Sequence, residues 1–226
     1  MSITVIAVTS RRAGEHLRAM SKTIMALSVI PQQMLILKAP WQIEDFNRYM
    51  LTDLKRHITT DFALTVHWDG FAINPHLWTD EFLNYDYIGA PWPRWITKDN
   101  RVGNGGFSLR SRRWIERAAE LEPVGSAEDV YQCRTRIDHF LEKGLKVAPL
   151  ELALRFAIEN PIEEFPDWDA SKSFGFHDFT APGTEQCRLT PPTLKERART
   201  LARRLKSNLM LKIADKKALP NHKTGV

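Results

Sequence analysis

The stretch FALTVHWDG, residues 62–70, places a run of strand-forming residues directly before a histidine and an aspartate. Two similar apolar runs precede it, ITVIAVT at 3–9 and MLILKA at 34–39. The segments between these runs, 16–29 and 45–57, carry apolar residues at helical spacing. The order strand, helix, strand, helix, strand predicts an α/β fold with a mostly parallel central sheet flanked by helices.

Polar residues follow each predicted strand, where ligands of parallel sheets bind. Thr9, Ser10 and Arg11 end the first run. If the third strand spans 62–68, alternation along it directs His67 and Asp69 to the same side. One or two carboxylates at such an edge suit a divalent cation that bridges phosphates. An Asp-Gly turn that only ends the strand is the alternative.

Length and composition indicate one domain of ordinary size. The chain has 226 residues, 43% hydrophobic and 26% charged, which excludes collagen-like, coiled-coil and wholly disordered classes. No apolar run approaches the roughly 18 residues of a membrane-spanning helix, and the first run is too short for a signal-peptide core. The two cysteines form neither a disulfide framework nor a zinc site by themselves. These features predict a cytoplasmic protein.

The positive charge is concentrated at the end of the chain. Residues 191–226 hold 10 Lys and Arg against 2 Asp and Glu, whereas residues 1–190 hold 22 against 25. We therefore expect an α/β domain at 1–190, a basic tail at 191–226, and no nucleic-acid partner for the body. Tail leucines at helical spacing predict an amphipathic helix, which binds either an anionic membrane surface or the body of the protein.

Two segments in the middle of the chain have features of a sugar-binding pocket. The run VGNGGFS at 102–108 permits close backbone approach, and its polar groups suit a polyhydroxy ligand; the alternative is a tight turn before a strand. The residues concerned are Asn104, Gly105, Gly106 and Ser108. Nearby aromatic residues, Trp92 among them, either stack on sugar rings or fill the core.

Two further motifs contain acid–base groups. Ser126 to Asp129 resembles a helix-capping sequence, but Glu128 or Asp129 also suits a general base held at a helix start. In FGFH, residues 174–177, His177 is either a late metal or phosphate ligand or a structural histidine.

Four long stretches, in this order, resemble a known family. They are VHWDGFAINPHLWTDEFLNYDYIGAPW at 66–92, VGNGGFSLRSRRW at 102–114, EDVYQCR at 128–134 and FGFH at 174–177. Together they resemble the bacterial glycosyltransferase-like family known as domain of unknown function 5672, over about residues 3 to 180. That family is similar to GT-A glycosyltransferases, so the resemblance implies a single GT-A-like, Rossmann-like domain.

The resemblance also implies roles for individual residues. His67-Trp68-Asp69 stands where GT-A enzymes carry the DxD motif that holds Mn²⁺ or Mg²⁺, with histidine in place of the first acid. Asp69 and His177 would be the metal ligands. Asp129 would deprotonate the acceptor hydroxyl, with Glu128 as the second choice.

By the same resemblance, the residues that would bind the nucleotide-sugar donor or the acceptor are Thr9, Ser10, Arg11, His67, Trp68, Trp92, Asn104, Gly105, Gly106 and Ser108. The implied function is inverting transfer of a sugar from a nucleotide sugar to a glycan or glycolipid, in synthesis of bacterial surface polysaccharide such as lipopolysaccharide. The tail would dock the enzyme at the inner membrane. A non-catalytic module that binds a nucleotide sugar or glycan is the alternative.

Overall fold

Eight strands and six α-helices make up the described part of the chain. The structure is a computed structural model that describes residues 1–9, 12–38, 42–97, 99–123 and 125–189, and tail residues 191, 194, 197, 198, 201 and 202. The strands are β1 (Ile3–Thr9), β2 (Gln33–Lys38), β3 (Phe62–Thr65), β4 (Gly70–Ala72), β5 (Tyr87–Gly89), β6 (Ser108–Ser111), β7 (Ala157–Ile158) and β8 (Gly175–His177). The helices are α1 (Ala13–Ala26), α2 (Ile43–Arg48), α3 (Arg112–Ala118), α4 (Glu128–Val130), α5 (Ile137–Leu141) and α6 (Leu150–Phe156).

The central sheet has the strand order β2-β1-β3-β6-β5 within the described residues. Strands β1, β2 and β3 are parallel, and β6 runs antiparallel to both β3 and β5. Four of the five strands therefore point the same way, which confirms the predicted mostly parallel α/β sheet. The chain adds β2 on one side of β1 and β3 on the other, so the carboxyl ends of β1 and β3 border a crevice where such sheets bind ligands.

Both faces of the central sheet are covered. Val5 and Ala7 of β1 pack towards α1, whereas Ile6 and Val8 pack with the segment after α2, where helix α2 continues as a π-helical turn (Tyr49–Asp53) and a 3₁₀ turn (Leu54–Arg56). A second sheet, β4-β8-β7, lies against the α1 side of the core. The fully buried Phe107 and Phe156 stack there at 5.1 Å between ring centroids.

Two predicted elements differ from the structure. The third strand ends at Thr65 rather than Trp68, because His67 pairs with Gly70 across a two-residue turn. The apolar spacing of the sequence also predicts one helix from about Ala127 to Lys143, but the structure divides this segment into α4, a π-helical turn (Tyr131–Thr135) and α5, because the backbone at Arg136 leaves helical geometry. Gly144, at φ +71°, follows this segment in the left-handed conformation that glycine favours at helix ends.

The described tail residues are exposed. Leu194, Arg197, Ala198, Leu201 and Ala202 have helical conformation, and Leu194 and Leu201 are 83% and 61% exposed. These two leucines of the predicted apolar stripe therefore do not pack on the body. The remaining tail leucines and, apart from Arg197, the basic residues of the tail lie outside the described residues.

No helix in the part of the chain that the structure describes is both long enough and apolar enough to cross a membrane.

We predict that Phe156→Ala destabilises the protein by about 3–5 kcal/mol, because it removes a fully buried ring and leaves a cavity. Urea unfolding measures the free energy of unfolding. Met25→Ala is the control, since Met25 is 84% exposed and its truncation should change that free energy by less than about 0.5 kcal/mol. Equal losses in the two variants would contradict the described core.

Candidate active site

A hairpin and a strand register bring three ligand-type side chains together at the carboxyl end of β3. The His67 amide donates to the Gly70 carbonyl at 2.8 Å, and the Gly70 amide donates back to the His67 carbonyl at 3.1 Å, so Trp68 and Asp69 form the turn. Strand β4 then pairs with β8, and this register sets His177 opposite Gly70. His67 and Asp69 therefore converge through a hairpin, not through alternation along a strand.

His67, Asp69 and His177 form a cluster that fits a divalent metal ion. One ligand atom from each residue lies within 4.8 Å of the other two. Asp69 Oδ1 and His177 Nε2 are 4.0 Å apart, which is within the span of two ligands that share one ion at about 2.1 Å each. The His67 Nε2 atom is buried and has no hydrogen-bond partner within the described residues. Buried polar atoms normally have a partner, and a bound ion would supply one here.

The surroundings favour the ligand form of His67, whereas burial disfavours the carboxylate form of Asp69. Burial lowers the pKa of His67 well below its ordinary value, and neighbouring His177, His16 and Arg110 act in the same direction, so its imidazole is neutral. Burial raises the pKa of Asp69, although His177 and Arg12 oppose that effect. A bound cation would favour the Asp69 carboxylate.

His177 is surrounded by carboxylates. Burial acts to lower the pKa of His177, but Glu159, Asp69 and Asp129 together raise it above its ordinary value. Its Nδ1 atom lies 3.3 Å from Glu159 Oε1, an ion-pair distance without hydrogen-bond geometry. A carboxylate behind a histidine ligand orients the ring and leaves Nε2 for the metal. Sequence analysis missed Glu159; its signal is an acid directly after the apolar run at 152–158.

A second group missed by sequence analysis extends the cluster towards α1. His16 Nδ1 donates to the Arg12 carbonyl at 2.9 Å, and the His16 ring lies 6.0 Å from that of His67. The Arg12 guanidinium lies 3.9 Å from the centre of the Trp68 ring and pairs with Glu15 at 2.8 Å. A cation therefore lies over the hairpin turn that carries Asp69.

The glycine-rich loop lies between the cluster and α4. A Cβ atom on Gly106 would lie 2.0 Å from His177 Nε2, and one on Gly105 would lie 2.0 Å from Glu128 Oε1. Real Cβ contacts are never this short, so only glycine permits these approaches. Asn104, at φ +59°, turns the loop and accepts the Gly106 amide with its Oδ1 atom at 3.1 Å. The loop is thus both the predicted tight turn and a wall of the site.

Asp129 is partly exposed and is held by two backbone amides. Its Oδ2 atom accepts from the Gly105 amide at 2.9 Å, and its Oδ1 atom accepts from the Val130 amide at 2.7 Å. Each oxygen retains a lone pair, so the carboxylate can accept a proton. The charge of Asp129 contributes to raising the pKa of His177, so the two groups lie near each other.

Glu128 has a different environment, because both its oxygens are occupied. It forms a buried bidentate ion pair with Arg110, at 3.0 and 2.7 Å, and also accepts from Gln132 Nε2 at 2.6 Å. Gln132 in turn accepts from Trp114 Nε1 at 2.8 Å. Glu128 therefore fastens α4 to β6, and its burial and its ion pair with Arg110 make it a poorer proton acceptor than the partly exposed Asp129.

The other predicted binding residues divide into three groups. Trp92 is buried in the core beside Tyr87 and Trp114, so its ring is not available for stacking on a sugar. Thr9, Asn104 and Ser108 are also buried and contribute to the frame of the site. Trp68 is partly exposed at the hairpin turn. Ser10 and Arg11 lie outside the described residues.

We predict that Gly106→Ala weakens Mn²⁺ binding about 10- to 100-fold, because the added methyl group displaces His177. Titration of the purified protein with Mn²⁺, followed by electron paramagnetic resonance, measures the free ion. Gly125→Ala is the matched control, since a Cβ there meets nothing within 4 Å. Undiminished Mn²⁺ affinity in a folded Gly106→Ala protein would contradict the described packing.

Comparison with solved structures shows the fold. A glycosyltransferase involved in the glycosylation of the major capsid of PBCV-1 aligns with 94% of this chain and 100% of its own, at 11% identity and a TM-score of 0.52. A mutant of Drosophila β1,4-galactosyltransferase 7, in complex with manganese, UDP-Gal and xylobiose, aligns with 66% of this chain and 64% of its own, at 14% identity and a TM-score of 0.44. No curated protein matches the chain significantly.

Residues 31–177 match the family model described as protein of unknown function, DUF5672. The match contains the hairpin at 67–70, the glycine-rich loop, Asp129, Glu159 and His177. The fold resembles that of a solved glycosyltransferase over nearly the whole chain. The chain belongs to the DUF5672 family and has a GT-A-like α/β fold.

Proposed function

We propose that this protein is a glycosyltransferase that moves a sugar from a nucleotide-sugar donor to a hydroxyl group of a glycan or glycolipid. One observation carries the proposal: the glycine-rich loop joins a metal-type cluster to a proton acceptor, because Gly106 contacts His177 and the Gly105 amide binds Asp129. The resemblance of the fold to a glycosyltransferase supports the same conclusion.

The donor diphosphate would bind at the cluster. His67, Asp69 and His177 would hold a divalent ion, which supplies charge to neutralise the departing nucleoside diphosphate. Glu159 would keep the His177 ring in its binding orientation. Arg12 places a further positive charge near Asp69, where it would attract the donor phosphates.

The acceptor would bind on the Asp129 side of the loop. Its hydroxyl oxygen forms a bond to the anomeric carbon as the bond from that carbon to the diphosphate oxygen breaks, and Asp129 takes the hydroxyl proton. The two backbone amides that bind Asp129 fix its position for this transfer. A single displacement of this kind inverts the anomeric configuration.

Glu128 would serve as a positioning residue, although it adjoins the base. Its ion pair with Arg110 holds the first turn of α4, and that turn carries Asp129. Asp129 is therefore our choice between the two acidic residues.

The tail would bring the enzyme to its acceptor. We infer that residues 191–226 bind an anionic membrane surface, and two observations support this inference. Leu194 and Leu201 of the tail are exposed in helical conformation, and the segment has a net charge of +8. Membrane-bound glycan intermediates of bacterial surface polysaccharide would then be the acceptors.

We predict that Asp69→Ala abolishes the metal-dependent thermal shift caused by the correct donor, whereas Asp129→Asn retains that shift. A ligand at 100 times its Kd adds about 2.7 kcal/mol of stability. A panel of nucleotide sugars and nucleoside diphosphates, each with Mn²⁺, Mg²⁺ or EDTA, identifies the donor. With that donor, Asp129→Asn should lower the transfer rate about 10²- to 10⁴-fold, because it removes the base.

The two variants also distinguish an enzyme from a binding module. Metal-dependent donor binding without release of nucleoside diphosphate, in the presence of any glycan acceptor, would favour the non-catalytic module. No shift with any nucleotide would contradict both the transferase and a module that binds a nucleotide sugar, and would leave only a module that binds a glycan. Glu128→Gln is the control for Asp129→Asn. It should lower the free energy of unfolding, while the transfer rate of the folded, donor-bound protein changes little.

We predict that deletion of residues 191–226 abolishes binding to liposomes that contain anionic lipid but leaves donor binding unchanged. Flotation with anionic and with neutral liposomes measures the first effect, and the thermal shift measures the second. If charge attraction holds the tail on the membrane, liposome binding of the full chain should weaken as the salt concentration rises. Equal flotation of the full and shortened chains would refute the tail as anchor.

A further inference from the structure

The proposed metal centre has an unusual donor set, with two imidazoles and one carboxylate. His67 stands where the motif of GT-A enzymes has an acid, and the structure directs its ring into the cluster with Asp69 and His177. The buried His67 Nε2 atom has no hydrogen-bond partner within the described residues. An unsatisfied buried nitrogen is costly, and a metal ion would satisfy it.

The ring of His67 is fixed by its neighbours. The rings of Phe46, His16 and His177 surround it, with centroid distances of 5.7, 6.0 and 5.8 Å. These ring contacts restrict the rotation of the His67 side chain and keep its Nε2 atom close to Asp69 and His177.

The second imidazole, that of His177, is oriented by a carboxylate. Glu159 lies behind His177 Nδ1 at 3.3 Å, while His177 Nε2 faces Asp69 at 4.0 Å. A carboxylate in this position increases the basicity of the histidine and fixes the nitrogen that it presents. His67 Nε2 and His177 Nε2 are thus both held in position to bind a metal ion.

Nitrogen ligands discriminate among divalent ions. Mg²⁺ prefers oxygen ligands and gives up its water reluctantly, whereas imidazole suits the later first-row transition metals, and the affinity of a given site rises from Mn²⁺ to Co²⁺. We propose that this site selects a transition-metal ion over Mg²⁺, and that His67 determines the selectivity. The inference rests on the metal centre of the proposed function, but it concerns the ion alone and holds whether or not the protein transfers a sugar.

The experiment titrates metal-free full-length protein with Mg²⁺, Mn²⁺ or Co²⁺, without nucleotide, by isothermal calorimetry. We expect one site, bound by Mn²⁺ and Co²⁺ at least about 100-fold more tightly than by Mg²⁺, with Co²⁺ the tightest of the three. In His67→Asp the ratio of Mn²⁺ to Mg²⁺ affinity should fall at least about tenfold. His76→Asp is the matched control, since His76 is exposed, and it should leave the ratio unchanged.

Spectroscopy of the wild-type protein covers the case in which His67→Asp does not fold. Bound Mn²⁺ should show electron–nuclear coupling to directly coordinated imidazole nitrogen, and labelling histidine with ¹⁵N should alter that coupling. Equal affinity for Mg²⁺ and Mn²⁺, coupling to oxygen ligands and water alone, or an unchanged ratio in folded His67→Asp would each overturn the proposal. Failure of nucleotide-sugar binding would not, so the two proposals fail separately.

Discussion

The site depends on how closely the backbone of Gly105 and Gly106 approaches two buried side chains. Gly106 lies against His177, and Gly105 lies against Glu128, in both cases without room for a Cβ atom. Because the loop fits there, one amide can bind Asp129 while the adjacent residue borders the metal-type cluster. Any side chain at these positions would separate the two halves of the site. In the proposed reaction, the loop therefore sets the distance between the metal-type cluster, where the donor would bind, and Asp129, which would deprotonate the acceptor.

The buried ion pair between Arg110 and Glu128 supports the glycine-rich loop, because Gly105 lies against Glu128. Arg110 is fully buried in β6, and both of its terminal nitrogens bind Glu128. Loss of one partner of such a pair typically costs about 3–5 kcal/mol, because it leaves a buried charge without compensation. The pair also explains why the chain places two acids side by side: Glu128 anchors α4, and Asp129 remains available for chemistry. The interior of the site is rigid, whereas Trp68 and Arg12 form its more exposed edge.

Local sequence patterns predicted the central sheet and part of the site. The apolar run at 3–9 matches β1, and the glycine-rich run indicated close backbone approach without indicating what approaches it. The turn at Trp68-Asp69 was given only as the alternative to a longer strand, because alternation continues in the sequence past the point where pairing changes partner. Glu159 and His16 were missed, since only long-range packing brings them to His67 and His177. Helical periodicity likewise did not indicate the break at Arg136, where the backbone leaves helical geometry.

The proposed reaction requires one metal-dependent donor site that faces Asp129 across the glycine-rich loop. Diffraction from crystals grown with Mn²⁺ and UDP, GDP or dTDP, recorded at a wavelength where manganese scatters anomalously, would locate both the ion and the nucleotide. We expect one strong manganese peak bonded to His67, Asp69 and His177, with diphosphate oxygens completing its shell and Asp129 on the opposite side of the loop. A nucleotide bound elsewhere, or manganese bound without any of these three residues, would contradict it.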